Sequence, residues 1–138
     1  MKTLEYVRVE DQLPDQVAAP GGTLDPDAQL TGTWYATDHQ ATGVVRLELR
    51  QQDDGLKVRA FGAGSVEPYD WGEITATAYG ASVAATEAMA FSAVYDFGFL
   101  VTILAAYAKQ GILVLDTFNT FTDASGRSNY FSREFFHR

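Results

Sequence analysis

Glu73 is the acidic residue that the sequence places best for acid–base chemistry. It follows Trp71 and Gly72 in a segment of alternating residue types, so a period of two puts its carboxyl group on the same face as the indole. Partly apolar surroundings disfavour the charged carboxylate and raise its pKa, which suits a general acid or base. The alternative is a salt bridge at the rim of the fold, with Arg59 or Arg46 as the partner.

Aromatic residues recur along the chain at spacings that would line a cavity. Rings with a few polar groups among them form the usual pocket for a small molecule. Among these residues, Tyr95 could donate a hydrogen bond to a substrate, so Glu73 and Tyr95 are the candidate catalytic pair. Any single ring could instead be an ordinary core residue. The candidate ligand-binding residues are Trp71, Tyr79, Phe91, Phe99, Tyr107, Phe118 and Tyr130.

Several kinds of chemistry are excluded by the residues that the chain lacks. The 138 residues include no cysteine and two histidines, His39 and His137. Thiolate nucleophiles, disulfides, zinc sites with cysteine ligands and all-histidine metal sites are therefore excluded. We expect no metal and no cofactor.

The charge of the chain limits its partners. The formal net charge is −8, which argues against nucleic acid and anionic membranes, because few basic side chains are available to release phosphate counterions. No apolar run reaches the roughly 20 residues that span a bilayer, and the first residues lack the apolar stretch of a secretory signal. We therefore expect a cytoplasmic protein whose partner is a small hydrophobic ligand or substrate.

The elements that would position the candidate residues are short strands separated by turns. From Leu30 onward, apolar and polar residues alternate, and turn signals such as Asp53-Asp54-Gly55 separate the runs. Eight antiparallel strands can close a small barrel and so remove exposed sheet edges. The predicted fold class is all-β, an eight-stranded antiparallel up-and-down β-barrel, with an open sandwich as the alternative. The predicted strands cover residues 30–37, 43–51, 56–61, 71–79, 88–97, 99–108, 112–121 and 127–136.

The first 29 residues form a separate segment. They contain three of the four prolines and a net charge of −4, from six acidic and two basic residues. We predict a flexible or wrapping N-terminal segment over residues 1–29 and a β-barrel domain over residues 30–138. A lid over a ligand cavity is the functional interpretation of the segment, and a disordered tail is the alternative.

The predicted fifth to seventh strands are apolar on both faces. Ile103 and Tyr107 alternate with Leu104 and Ala106, for example, whereas the second strand alternates apolar and charged residues. A sheet that is apolar on both faces usually has its outer face covered. We therefore predict a homodimer or a higher homo-oligomer that forms through these strands.

Two short motifs lie at the ends of the predicted barrel domain. Gly32-Thr33-Trp34 opens the first strand, and Arg133 lies in the last one. Here the chain resembles the calycin group, which includes lipocalins, fatty-acid-binding proteins and avidins. The resemblance implies that the glycine and the indole close the base of a barrel and that a basic residue of the last strand packs on the indole. A guanidinium group stacks well on an aromatic face, and Arg133 is the predicted partner of Trp34.

Two functional hypotheses follow from this fold. In the first, the barrel cavity binds a small hydrophobic or aromatic molecule. In the second, the same cavity belongs to a cofactor-independent cyclase or isomerase of a natural-product biosynthetic pathway. Such an enzyme would act by holding a reactive conformer beside a tyrosine or glutamate. A barrel filled by its own side chains, serving only as an interaction module, is a third possibility.

Overall fold

The protein is a closed β-barrel in the computed structural model, which describes residues 6–12 and 24–138. Its eight strands follow one another around the barrel in chain order, every neighbouring pair is antiparallel, and β8 returns to β1 through Tyr35 and His137. The predicted up-and-down barrel is confirmed, and the open sandwich is excluded. The strands are β1 Gly32–Ala36, β2 Val44–Gln52, β3 Gly55–Gly62, β4 Tyr69–Tyr79, β5 Ala90–Asp96, β6 Leu100–Lys109, β7 Ile112–Phe121 and β8 Tyr130–His137.

The period of two along the strands separates a packed interior from an outer surface. On β6, the side chains of Leu104 and Ala106 are buried, whereas Ile103 and Tyr107 are exposed. The strands following β4 repeat this pattern, and their inner apolar residues form the core together with those of β1 to β4. Many outer residues of β5 to β7 are also apolar, as the sequence predicts for these three strands.

Trp34 closes one end of the barrel. Its indole is fully buried, and its Nε1 donates a hydrogen bond to the carbonyl oxygen of Leu30 at 2.8 Å. The guanidinium carbon of Arg138 lies 4.3 Å from the ring centroid. Gly32, with a φ of 124°, adopts a backbone conformation that other residues rarely take.

The prediction that Arg133 packs on Trp34 is wrong, because Arg138 occupies that position. Arg133 lies on the outer face of β8 and makes two hydrogen bonds to Asp116, at 2.7 and 2.9 Å. Successive residues of a strand point to opposite faces, and Ser132 and Glu134 are the inward neighbours of Arg133. The packing of a basic side chain on the indole is nevertheless present.

A β-bulge interrupts the pairing of β3 with β4. Arg59 pairs with Glu73, but the next pair along the two strands is Phe61 with Asp70. Two residues of β4, Trp71 and Gly72, therefore stand opposite a single residue of β3. Gly72 has a φ of 88°, a value that glycine tolerates without steric cost.

Residues 6–12 and 24–29 are the described parts of the N-terminal segment. Val9–Asp11 forms a 3-10 helix, and Asp25 forms a parallel bridge with Glu87. The prediction of a flexible or wrapping segment also concerns residues 1–5 and 13–23, which lie outside the described residues. Among residues 6–12 and 24–138, no helix has the length and hydropathy of a membrane span.

Candidate functional site

A cavity of about 350 Å³ opens at the end of the barrel opposite Trp34. Apolar and aromatic groups from the start of β2, the end of β3 and the start of β4 line one side, whereas polar side chains of β6, β7 and β8 line the other. The barrel is therefore packed at one end and hollow at the other. The lining residues are Thr42, Gly43, Val44, Gly62, Ala63, Tyr69, Trp71, Leu100, Thr102, Leu115, Thr117, Asn119, Tyr130, Ser132 and Glu134.

Asn119 organises the polar side of the cavity. Its Oδ1 accepts a hydrogen bond from the Thr102 hydroxyl at 2.8 Å, and its Nδ2 donates to Thr117 Oγ1 at 3.1 Å. The Nδ2 group also donates to the carbonyl oxygen of Tyr130 at 3.4 Å. The hydroxyl groups of Thr117 and Ser132 are hydrogen-bonded to each other. Buried polar groups joined in this way hold fixed orientations, so the polar wall is preorganised.

Glu134 is the charged residue among those that line the cavity. Burial, and secondly the nearby Asp38, raise the pKa of its carboxyl group above the ordinary value, while a backbone hydrogen bond at Phe135 acts in the opposite direction. No salt bridge in the described part of the chain includes Glu134. Its carboxylate is therefore not committed to a basic side chain in the described part of the chain and can bind a basic group in the cavity.

Trp71 provides the aromatic side of the cavity. Its ring contacts Tyr95 and Phe97 edge-on, with centroid distances of 5.4 and 5.1 Å. Tyr95 and Phe97 stack on each other at 5.7 Å. These contacts fix the indole, which remains partly exposed and faces the polar side chains of β7 and β8 across the cavity.

Tyr95, one of the two candidate catalytic residues, uses its hydroxyl group on the backbone. The hydroxyl oxygen accepts a hydrogen bond from the Ala60 N–H at 3.0 Å, and the hydroxyl donates to the Gly72 carbonyl at 2.6 Å. These two backbone groups are the ones that the β-bulge removes from the ladder. Burial raises the pKa of Tyr95, which keeps the hydroxyl protonated and able to donate.

Glu73, the other catalytic candidate, lies on the outer surface. The expectation that it shares a face with Trp71 is wrong, because the bulge at Gly72 shifts the alternation of β4 by one residue. Its carboxylate binds Arg50 through two hydrogen bonds of 2.7 Å, and this pairing lowers the pKa of Glu73 instead of raising it. The predicted salt bridge is present, with Arg50 rather than Arg59 or Arg46 as the partner.

The seven candidate ligand-binding residues fall into three groups. Trp71 and Tyr130 line the cavity, and Phe91 is buried in the core. The other four are 41–47% exposed and are not among the lining residues. Tyr107 and Phe118 point outward because of the alternation of β6 and β7, and Tyr79 points outward because the bulge shifts the alternation of β4. The four exposed residues are Tyr79, Phe99, Tyr107 and Phe118.

The sequence interpretation missed Glu134 and the network around Asn119. The alternation of β8 places Ser132, Glu134 and Phe136 on one face, but Phe131 and Phe135 make the opposite face equally apolar. Hydrophobicity alone therefore does not show which face of β8 points inward. The register of β8 with β7 identifies the inward face, because Glu134 pairs with Leu115, whose side chain lines the cavity.

Comparisons with known proteins find no matching family model, no similar curated protein and no similar solved structure. Among residues 6–12 and 24–138, no cluster of three or more His, Asp or Glu side chains is arranged to hold a metal ion.

Proposed function

We propose that this protein binds a small, largely hydrophobic or aromatic molecule in the barrel cavity. The observation that carries the proposal is a cavity of about 350 Å³ with an indole on one side and a hydrogen-bonded polar wall on the other. Sites for small molecules typically combine an apolar lining with a few placed polar groups, in volumes of about 300–1,000 Å³. The cavity is at the small end of this range, so the ligand is compact.

A substitution that fills the mouth of the cavity tests this proposal. Ala63 is exposed and lines the cavity, so Ala63→Trp adds bulk there without disturbing the core. We expect wild-type protein to bind indole or 2-phenylethanol saturably in ligand-observed NMR, and Ala63→Trp to weaken binding about 10-fold or more, the loss expected when an apolar pocket is blocked. Ala81→Trp, in the β4–β5 connection and outside the lining, is the matched control. Equal binding by both variants, or no binding of indole, 2-phenylethanol and 2-phenylethylamine by the wild type, would contradict the proposal.

A cofactor-independent cyclase or isomerase is the second candidate function. The observation that favours it is Glu134, whose raised pKa suits a general acid or base within a partly apolar cavity. Native mass spectrometry of protein purified from its host would identify a retained molecule. Release of that molecule unchanged supports the binding protein, whereas its conversion by wild type, slowed strongly in Glu134→Gln, supports the enzyme.

We also propose that the protein forms a homodimer or a higher homo-oligomer through β5 to β7, the strands that the sequence predicts, together with the neighbouring β8. Seven outward apolar side chains of these strands, which together we call the apolar outer face, are each 41–55% exposed. At about 100 Å² each, or half of a large side chain, they offer about 700 Å². A stable interface buries roughly 800 Å² per partner, so the area of this face is close to what a second copy of the chain would cover. The apolar outer face consists of Val94, Ile103, Tyr107, Ile112, Phe118, Phe131 and Phe135.

The relation to calycins and the cytoplasmic location are likewise proposals. The relation is supported by Gly32, Trp34 and the guanidinium of Arg138 over the indole at the closed end of the barrel. The location is supported by the absence of cysteine from the sequence.

A further inference from the structure

The polar wall of the cavity offers more hydrogen-bond acceptors than donors. Both Nδ2 hydrogens of Asn119 are used, on Thr117 Oγ1 and on the Tyr130 carbonyl oxygen, and the Thr102 hydroxyl donates to Asn119 Oδ1. The paired hydroxyl groups of Thr117 and Ser132 use one of their two protons on each other, which leaves one proton to donate. Against this proton and that of the Tyr130 hydroxyl group stand the lone pairs of the hydroxyl groups and the two carboxylate oxygens of Glu134. The Trp71 Nε1–H, a further donor, belongs to the aromatic side of the cavity.

The charged groups near the cavity are acidic, which agrees with the excess of hydrogen-bond acceptors over donors. Glu134 is the charged lining residue, and Asp38 lies close enough to raise its pKa. Arg59 and Arg127 lie outside the lining and pair with Asp70 and Asp123, respectively. An anionic ligand would meet the Glu134 carboxylate without a lysine or arginine among the lining residues, whereas a cation would relieve the repulsion between Glu134 and Asp38.

We propose that the ligand is an organic cation, in which a protonated amine binds Glu134 and an attached apolar or aromatic body packs against Trp71. A protonated amine supplies only hydrogen-bond donors, and the polar wall offers mainly acceptors. Glu134 on β8 and Trp71 on β4 lie on opposite walls of the cavity, so a compact molecule can contact both. This inference rests on the proposed function, because it names the class of molecule that the cavity binds.

Three probes of similar shape and different charge test the inference. They are 2-phenylethylamine, 2-phenylethanol and 3-phenylpropanoate, which carry a positive charge, no charge and a negative charge at neutral pH. Calorimetry or ligand-observed NMR gives the dissociation constant of each with the full chain. We expect the amine to bind about 10-fold more tightly than the alcohol, because hydrogen bonds to charged groups are stronger than neutral ones. The propanoate is expected to bind most weakly.

The variants Glu134→Gln and Glu48→Gln separate the contact at Glu134 from the overall charge. Each removes one negative charge, but Glu48 lies on β2 beside Arg46 and outside the cavity lining. Glu134→Gln should weaken amine binding about 10-fold and leave alcohol binding within about 3-fold. Glu48→Gln should leave both unchanged. Thermal unfolding of each variant shows whether the barrel remains folded.

The outcomes distinguish this inference from the proposed function on which it rests. If the alcohol or the propanoate binds as tightly as the amine, or if Glu134→Gln and Glu48→Gln behave alike, the cation inference is wrong while small-molecule binding stands. If none of the three probes binds, the proposed function fails and the inference fails with it.

Discussion

Tyr95 has a structural role in this barrel. The bulge in β4 takes the Ala60 N–H and the Gly72 carbonyl out of the ladder, and the Tyr95 hydroxyl hydrogen-bonds to both. An unpaired backbone group in a buried position costs free energy comparable to a lost hydrogen bond. The tyrosine therefore stabilises the irregular backbone that turns Trp71 toward the cavity.

Removing the hydroxyl group should destabilise the protein. Tyr95→Phe leaves the Ala60 N–H and the Gly72 carbonyl without their partner, so we expect the free energy of unfolding to fall by about 1–3 kcal/mol in urea denaturation. Tyr79→Phe is the matched control, because the Tyr79 hydroxyl bonds only Ser92 Oγ on the outer surface. An equal effect of the two substitutions would show that the bulge does not depend on Tyr95.

The strands are the elements that the sequence predicts well. Alternation and turn residues identify all eight, and β7 lies at residues 112–121 as predicted. The last strand begins at Tyr130, because Asn129 Oδ1 instead accepts a hydrogen bond from the Phe121 N–H, and Arg127 pairs with Asp123 within the β7–β8 connection. These contacts join positions on either side of a turn, and a one-dimensional pattern does not contain them.

The candidate site is less predictable than the strands, and the bulge is the main reason. The bulge at Gly72 shifts the register by one residue and so exchanges the inner and outer faces of the rest of β4. Glu73 and Tyr79 therefore point outward, and Ile74 points inward. No local residue signal distinguishes this glycine from one in a turn. The inward position of Glu134 depends on the pairing of β8 with β7, which is also a tertiary property.

Asp70 links the bulge to the pH dependence of stability. It accepts hydrogen bonds from the Gly72 N–H and from Arg59, and the Arg59 interaction is the main reason that the pKa of Asp70 falls to about 2. A carboxyl group with a lowered pKa stabilises the folded state above its unfolded value, near 3.9. This stabilisation is lost as the pH falls from about 4 to about 2.

Replacing Asp70 should therefore have an effect that depends on pH. We expect Asp70→Asn to lower the unfolding temperature by roughly 1–3 °C at pH 7, with a difference from wild type that shrinks below about pH 4 and vanishes near pH 2. Glu48→Gln serves as the control, because its contact with Arg46 is longer, at 3.7 Å. A difference that does not change with pH would mean that Asp70 acts through its shape instead of its charge.

At the scale of the whole molecule, the apolar outer face surrounds one ion pair. Asp116 on β7 and Arg133 on β8 lie opposite each other. Phe118 is two residues from Asp116 along β7, and Phe131 and Phe135 are two residues from Arg133 along β8. The pair neutralises itself through two hydrogen bonds, so it adds no net charge to the face. A neighbouring copy can therefore cover this face without leaving a charge unpaired.

A charge in the middle of the apolar outer face should prevent assembly. We expect wild-type protein to sediment as a dimer or a larger oligomer at micromolar concentration and Phe118→Glu to sediment as a monomer, because a buried unpaired carboxylate is costly. Gln51→Glu adds the same charge to the exposed surface of β2 and should keep the wild-type mass. A monomeric wild type would contradict the proposed assembly.

Residues that line the cavity alternate with residues of the apolar outer face along both β7 and β8. On β7, Asn119 faces the cavity and the adjacent Phe118 faces outward, and on β8 Ser132 and Phe131 stand in the same relation. A ligand and a neighbouring copy would therefore contact opposite sides of the same backbone. If the assembled form binds the ligand more tightly than the monomer does, the ligand must strengthen assembly by the same factor. The measured affinity for the ligand would then depend on the concentration of the protein.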